Sequence, residues 1–181
     1  MVPGLIEKAV RLATLAHAGQ KRKGDNLPYI IHPMMVALKL AKYGASDEVI
    51  AAALTHDVLE DTDVPVEKLK EELGEEVLTI VQAVSNDDSL GWLEKKKHYI
   101  ETVKNGPAGA KAVALADKIH NLESILIAYS EQGKDVWKKF NGTKEQKIWF
   151  ETEMLNMLKS TFEHPLIAEY ERLIGEEGKL D

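Results

Sequence analysis

Val49-Ile50-Ala51-Ala52-Ala53-Leu54-Thr55-His56-Asp57-Val58-Leu59-Glu60-Asp61 is an apolar run that ends in four ionisable residues. Burying such groups without partners costs roughly several kcal/mol each, so proteins neutralise them, pair them or coordinate a metal with them. A divalent cation is the simplest partner for an imidazole beside a carboxylate. On a helix, neighbouring residues diverge by about 100°. His56 and Asp57 can therefore both bend toward one ion, and Glu60 and Asp61 repeat their positions one turn later. The first pair is a candidate for binding and the second for chemistry. Ser46 upstream suits an N-cap, and Asp47 and Glu48 suit the positive end of a helix dipole, so the run is expected to be helical.

Helical periodicity extends outward from this run in both directions. Ile6 to Ala18 places Ala9, Val10, Leu12, Ala13 and Ala16 on one face, and a loop from Gly19 to Ile31 follows. Pro33 suits the first turn of a second helix carrying Met35, Val36, Leu38 and Leu40, which is expected to stop near Gly44. After a turn at Asp61-Thr62-Asp63, a short helix runs from about Pro65 to Leu73, closed by Gly74, and Glu75 to Val84 continues in helical register. Ser85 to Ser89 is turn-like. Leu90 to Val103 follows as a helix whose start Gly91 weakens. Pro107 opens a long helix centred on Ala110 to Leu122. Residues 133–142 form a break, and Thr143 to Phe162 and Pro165 to Ile174 are two final helices. No alternating strand of useful length occurs. The expected fold class is all-α: one compact helical bundle over residues 1–181, with a core of about 5–130 and additional helices over about 143–175.

The chain has 181 residues, of which 44% are hydrophobic, enough for one domain with a genuine core. It has no cysteine, which removes disulfides, thiolate metal sites and cysteine nucleophiles. Any metal site must use imidazole and carboxylate. The first residues lack a basic segment followed by an apolar one, and no long apolar run occurs, so no membrane association and a cytoplasmic location are expected. A net charge of −7 argues against a surface that tracks polymeric nucleic acid, although a local basic site for a small phosphorylated ligand is compatible with it. Lys21-Arg22-Lys23, shortly before His32, is the candidate for such a site. Lys95-Lys96-Lys97 is a second cluster, for which a solvated basic segment is the plainer interpretation.

Two further residues match the chemistry of the opening pair. His32 stands in Pro28-Tyr29-Ile30-Ile31-His32-Pro33 at the mouth of a helix, and Asp117 stands in an apolar helix between Leu115-Ala116 and Ile119. Alone, a histidine beside proline is usually structural and a lone helical aspartate usually exposed or capping. The order His, then His-Asp, then Asp in separate helices is far more specific. With Ala16-His17-Ala18-Gly19-Gln20-Lys21-Arg22-Lys23, Ala52 to Thr62 and Leu115 to Leu122, it resembles the HD phosphohydrolase superfamily. More closely, it resembles the hydrolase domain of the RelA/SpoT homologues, over roughly Ile6 to Ile125. Having no synthetase region, the chain looks like a stand-alone small alarmone hydrolase.

The resemblance implies an HD-domain helical bundle with one Mn2+ held by His32, His56, Asp57 and Asp117. The ligand types themselves also admit Fe2+, Co2+ or Zn2+. It further implies that Glu60 and Asp61 are the catalytic acid/base pair, leaving open which accepts the proton. A capping role suits them poorly, because carboxylates are disfavoured at a helix C-terminus. Arg22 and Lys23 match the family's basic pair that contacts the guanine nucleotide, and Asn121 matches an asparagine of the nucleotide pocket, one turn after Asp117. His120 lies off that face and is expected to be packed or exposed. His17 is expected to support the loop, and Trp137 and Trp149 to be core. The implied activity is removal of the 3′-diphosphate of guanosine tetra- or pentaphosphate.

Three departures bear on substrate identity. The loop Lys23-Gly24-Asp25-Asn26-Leu27-Pro28 is one residue longer than the commoner form, Glu123 replaces the usual arginine, and Ser85 to Leu90 only loosely echoes a family segment. The longer loop and Glu123 favour a rival of the same fold that acts on another 3′-phosphorylated nucleotide, such as an adenine nucleotide. A non-catalytic nucleotide-sensing module is the non-enzymatic rival, and Glu60 and Asp61 count against it.

Overall fold

The structure, a computed structural model, describes residues 3–22, 26–139 and 143–180. In chain order its α-helices are α1 (Leu5–Ala16), α2 (Ile31–Lys42), α3 (Asp47–Thr55), α4 (Val58–Asp61), α5 (Val66–Leu73) and α6 (Glu75–Ala83). They continue with α7 (Trp92–Asn105), α8 (Ala108–Gln132), a 3₁₀ segment (Gly133–Lys139), α9 (Lys144–Thr161) and α10 (Leu166–Glu177). Among the described residues there is no strand, only an isolated bridge between Lys21 and Pro28. The fold class is all-α, as expected. No helix of the described residues is long and apolar enough to cross a membrane.

Two helices form the centre. Five consecutive residues of α3, Ala51 to Thr55, are buried, because α1, α2, α6 and α8 surround it. Helix α8 is buried from Ala112 through Asp117 and again at Ile119, Leu122, Ile125 and Ala128. Its small residues permit close packing. A Cβ on Gly109 would come within 2.8 Å of Ile80 Cδ1 and 3.0 Å of Val49 Cγ2, so the start of α8 lies tight against α6 and α3. Outer helices show the narrower stripe of partial burial: α1 buries Ala9, Leu12 and Ala13, spaced by three and four residues.

The helix ends follow the local chemistry. Ser46 Oγ accepts the Val49 N–H, a cap whose loss typically costs about 1 kcal/mol. Gly44, at φ +75°, provides the left-handed turn after α2. Thr143 and Gln146 form a reciprocal capping box at the start of α9.

One expectation fails at the decisive run. His56 and Asp57 do not belong to a continuous helix: α3 ends at Thr55 and α4 begins at Val58. His56 turns its Nδ1 back onto the Ala53 carbonyl, 2.8 Å away, and the Asp61 N–H bonds the Asp57 carbonyl to start the next turn. Both residues keep right-handed helical dihedrals, φ −60° and ψ −32° at His56 and φ −92° and ψ −4° at Asp57, and their side chains still converge as expected, His56 Nε2 lying 3.2 Å from Asp57 Oδ2.

Helices α9 and α10 close the bundle against α7 and α8 and bury charge of their own. Glu151 and Glu177 are both buried; Lys147 Nζ lies 3.0 Å from Glu151 Oε1 and 3.8 Å from Glu177 Oε1, and the Tyr170 hydroxyl donates to Glu151. Among the described residues, neither Glu177 oxygen has a hydrogen-bond partner. Burial raises its pKa to about 7, with Lys147 opposing and Glu151 reinforcing the shift. A carboxyl whose folded pKa lies above its unfolded value of about 4.5 binds its proton more tightly when folded. Stability is therefore favoured below pH 4.5 and lost as pH rises toward 7. We expect Glu177→Gln to raise the thermal midpoint at pH 8, by an amount equivalent to about 1–3 kcal/mol, and to leave it unchanged at pH 4. Melting curves at the two pH values check this, and equal shifts at both would refute it.

Candidate metal centre

Four side chains converge from separate parts of the fold. His32 comes from the first turn of α2, His56 and Asp57 from the break between α3 and α4, and Asp117 from the middle of α8. His32 Nε2 lies 3.0 Å from Asp117 Oδ1 and 3.6 Å from Asp57 Oδ2. His56 Nε2 lies 3.2 Å from Asp57 Oδ2 and 3.7 Å from Asp117 Oδ1. Candidate ligand atoms of His32, His56 and Asp57 all fall within 4.8 Å of one another. His56 Nε2 is buried without a hydrogen bond among the described residues, while the Nδ1 contact to Ala53 fixes the ring's direction. An imidazole nitrogen directed at two carboxylates fits a divalent cation, and two nitrogens with two oxygens form a suitable donor set.

Without a cation, the same four groups must settle their charges by proton sharing. Burial pushes His32 below the usual histidine range. Burial also acts to lower His56, but the Asp57 and Asp117 carboxylates outweigh it and hold the imidazole protonated well above that range. Asp57 and Asp117 are kept ionised against burial, Asp57 by His56 and Asp117 by Lys118. A proton on His56 thus occupies the electrostatic place that a cation would take, and metal binding here would release it.

The supporting contacts include residues to which the sequence assigned no role. The Tyr29 hydroxyl donates to Asp57 Oδ2 at 2.6 Å and lies 3.1 Å from Asp61 Oδ2, joining the metal pair to the second acidic pair. His120 Nδ1 is 2.7 Å from His32 Nδ1. His120 is packed, within the expectation, but its partner is a candidate ligand: with a metal on His32 Nε2 the His32 proton would sit on Nδ1, and His120 would accept it. Burial, with His32 and Arg22 nearby, lowers His120 to about 4, consistent with an acceptor. Asn121 donates to Asp117 Oδ1 at 2.6 Å, and Lys118 Nζ sits 2.9 Å from Asp117 Oδ2.

Glu60 and Asp61 face different surroundings. Asn86 donates its backbone N–H to Glu60 at 3.0 Å and its side-chain amide to both carboxylate oxygens. Asp61 is raised from its ordinary range by burial and by Asp57. The carbonyl of Asp61 accepts from Gln20, whose Oε1 lies 2.8 Å from His17 Nδ1, so His17 braces this loop.

At the rim, the Arg22 guanidinium donates to Asn121 Oδ1 at 3.3 Å and Ser124 Oγ at 3.0 Å, and stands 6.0 Å from the Tyr29 ring centroid. Lys23, the other half of the basic pair, lies outside the described residues. Lys96 is more than a solvated lysine: its Nζ is 3.4 Å from Asn86 Oδ1, and burial, aided by Lys118, lowers it to about 8. Glu123 is engaged by Lys39 at 2.7 Å, and Lys39 also reaches Glu169 at 3.4 Å. Trp149 pairs with Trp92, and Trp137 with Tyr129, as packing residues do.

A helical bundle with histidines and aspartates converging in this order defines the HD-domain class, and the chain belongs to that family: its model matches residues 9–146. The guanosine-3′,5′-bis(diphosphate) 3′-pyrophosphohydrolase of Aquifex aeolicus is 36% identical over 137 residues, 74% of this chain and 20% of that protein. The chain thus spans a fifth of that relative's length. The mouse pyrophosphohydrolase MESH1 is 34% identical over 154 residues, covering 77% of this chain and 86% of the relative. A solved metazoan SpoT orthologue, described as hydrolysing ppGpp, superposes with a TM-score of 0.79 at 26% identity over 99% of both chains. A Listeria monocytogenes protein gives 0.74 at 34% identity, over 80% of this chain and 97% of its own.

Proposed function

We propose that this protein is a metal-dependent phosphohydrolase that removes the 3′-diphosphate of guanosine tetra- or pentaphosphate, releasing GDP or GTP and pyrophosphate. The observation that carries the chemistry is the convergence of His32 Nε2, His56 Nε2, Asp57 Oδ2 and Asp117 Oδ1 within 3.0–3.7 Å across the His–Asp pairs. The substrate follows from the activity by which the similar proteins are named. We assign the four residues as ligands of Mn2+ and the whole chain, including the helices beyond residue 130, as one HD-type unit. The reaction belongs to alarmone turnover in the stringent response, and we place it in the cytoplasm.

An ion held by His32, His56, Asp57 and Asp117 would supply positive charge for phosphoryl oxygens and lower the pKa of water. In the step we assign, water oxygen forms a bond to the phosphorus attached at the 3′ position while the bond to the ribose oxygen breaks. A carboxylate of the Glu60–Asp61 pair takes the water proton, and the ribose oxygen leaves with a proton as the 3′-hydroxyl. Lys96 faces Glu60 and Asn86 and offers charge to the diphosphate. Arg22, braced by Asn121 and Ser124, presents a planar cation to the base. The Lys39 contact compensates the negative charge of Glu123, which weakens the case for a different nucleotide.

Purified protein with Mn2+ is expected to release pyrophosphate from guanosine tetraphosphate in a panel of nucleotides, with orthophosphate followed separately. Pyrophosphate from no 3′-diphosphate nucleotide would sink the assignment. Orthophosphate from a 3′-phosphorylated adenine nucleotide instead would redirect it to the enzymatic rival, and turnover of nothing would point to a sensor.

A further inference from the structure

We infer that Phe150, on α9 and beyond the family match, is a positioning residue that holds two half-buried lysines of the site, Lys96 and Lys118, through the face of its ring. Phe150 is itself buried at 5% exposure. Lys118 Nζ stands 5.2 Å from its ring centroid and Lys96 Nζ 4.9 Å from it. Lys118 also lies 5.1 Å from the centroid of Tyr99, whose ring meets Phe150 edge-on at 6.0 Å and 65°. An ammonium withdrawn from water needs compensating negative potential, and an aromatic face supplies it without adding another ionisable group.

The two cations serve different arms of the site. Lys118 meets Asp117 Oδ2 at 2.9 Å, leaving Oδ1 directed at the histidines. Lys96 meets Asn86, which holds Glu60 by three hydrogen bonds. One ring therefore underlies both the candidate metal ligand Asp117 and Glu60 of the candidate proton-handling pair. The ring also gives the C-terminal helices a part in the chemistry although they contribute no proposed ligand. Its effect on substrate rests on the function proposed above, whereas its effect on metal affinity is measured without nucleotide.

The test replaces Phe150 in the full chain by 3,4,5-trifluorophenylalanine, which keeps the ring's shape while weakening its negative face, and separately by leucine (Phe150→Leu). Calorimetric titration of metal-free protein with Mn2+, kcat and KM for guanosine tetraphosphate, and thermal midpoints are compared with the unsubstituted protein. The fluorinated protein is expected to keep its thermal midpoint while Mn2+ affinity falls about tenfold, the scale of supporting contacts around a metal. KM should rise about three- to tenfold, with a smaller change in kcat. Phe150→Leu should move affinity and KM the same way, with a lower midpoint. Unchanged Mn2+ affinity in the fluorinated protein overturns the inference, even if Phe150→Leu is unstable. If the unsubstituted protein hydrolyses no 3′-diphosphate nucleotide, the functional assignment fails and the Mn2+ titration alone decides the role of the ring.

Discussion

His56→Ala is expected to abolish stoichiometric Mn2+ binding and hydrolysis together. His56 brings its Nε2 within 3.2 Å of Asp57 Oδ2 and 3.7 Å of Asp117 Oδ1, and among the described residues no hydrogen bond engages that nitrogen. Removing the imidazole takes away a donor and leaves two carboxylates facing a small apolar gap. The loss of affinity should exceed about 100-fold, the upper range for losing a supporting contact rather than a ligand. Titration of metal-free protein reads the stoichiometry, and circular dichroism checks that the helices persist. A retained full equivalent of tightly bound Mn2+ would refute the ligand assignment.

The second large effect is expected at Asp61. Asn86 gives the Glu60 carboxylate three hydrogen bonds, which hold it as an oriented acceptor. Asp61 instead has a raised affinity for protons, caused first by burial and then by Asp57, and stands beside the Tyr29 hydroxyl. A carboxylate with raised pKa is the better proton acceptor near neutral pH. Asp61→Asn should lower kcat by about 10²–10⁴-fold, the usual share of general acid–base catalysis, while Mn2+ stoichiometry stays at one. The acidic limb of the kcat profile should disappear with it. Glu60→Gln should cost less, because an amide can still accept from Asn86. Near-normal turnover by Asp61→Asn, or a larger loss in Glu60→Gln, would reverse the roles.

The sequence exposed the elements whose residues announce themselves. Ser46, Gly44, Gly74 and Pro107 mark helix ends by backbone chemistry that is local, and each lies at an observed boundary. His32, His56, Asp57 and Asp117 were legible because ionisable residues in apolar helices conflict with their surroundings. The break at His56 was not legible: nothing in Thr55-His56-Asp57-Val58 disfavours a helix strongly, and both residues at the junction keep right-handed helical dihedrals. The contact of His120 with His32 was not legible either. Helical phase places it off the Asp117–Asn121 face, but His32 arrives from α2, a direction set only by tertiary packing. Phe150 resembles any core aromatic in sequence, and the lysines over it come from two other helices.

Glu123 is tied through Lys39 to Glu169, so α2, α8 and α10 share one partly buried cation. Residues 39 and 123 therefore form a unit of exchange. Grafting an arginine at 123 to imitate the commoner family pattern would set two cations against each other across α2 and α8. A chain that accommodates such a graft needs a compensating change at 39, and its pocket charge can be compared with that of relatives only after both positions are counted.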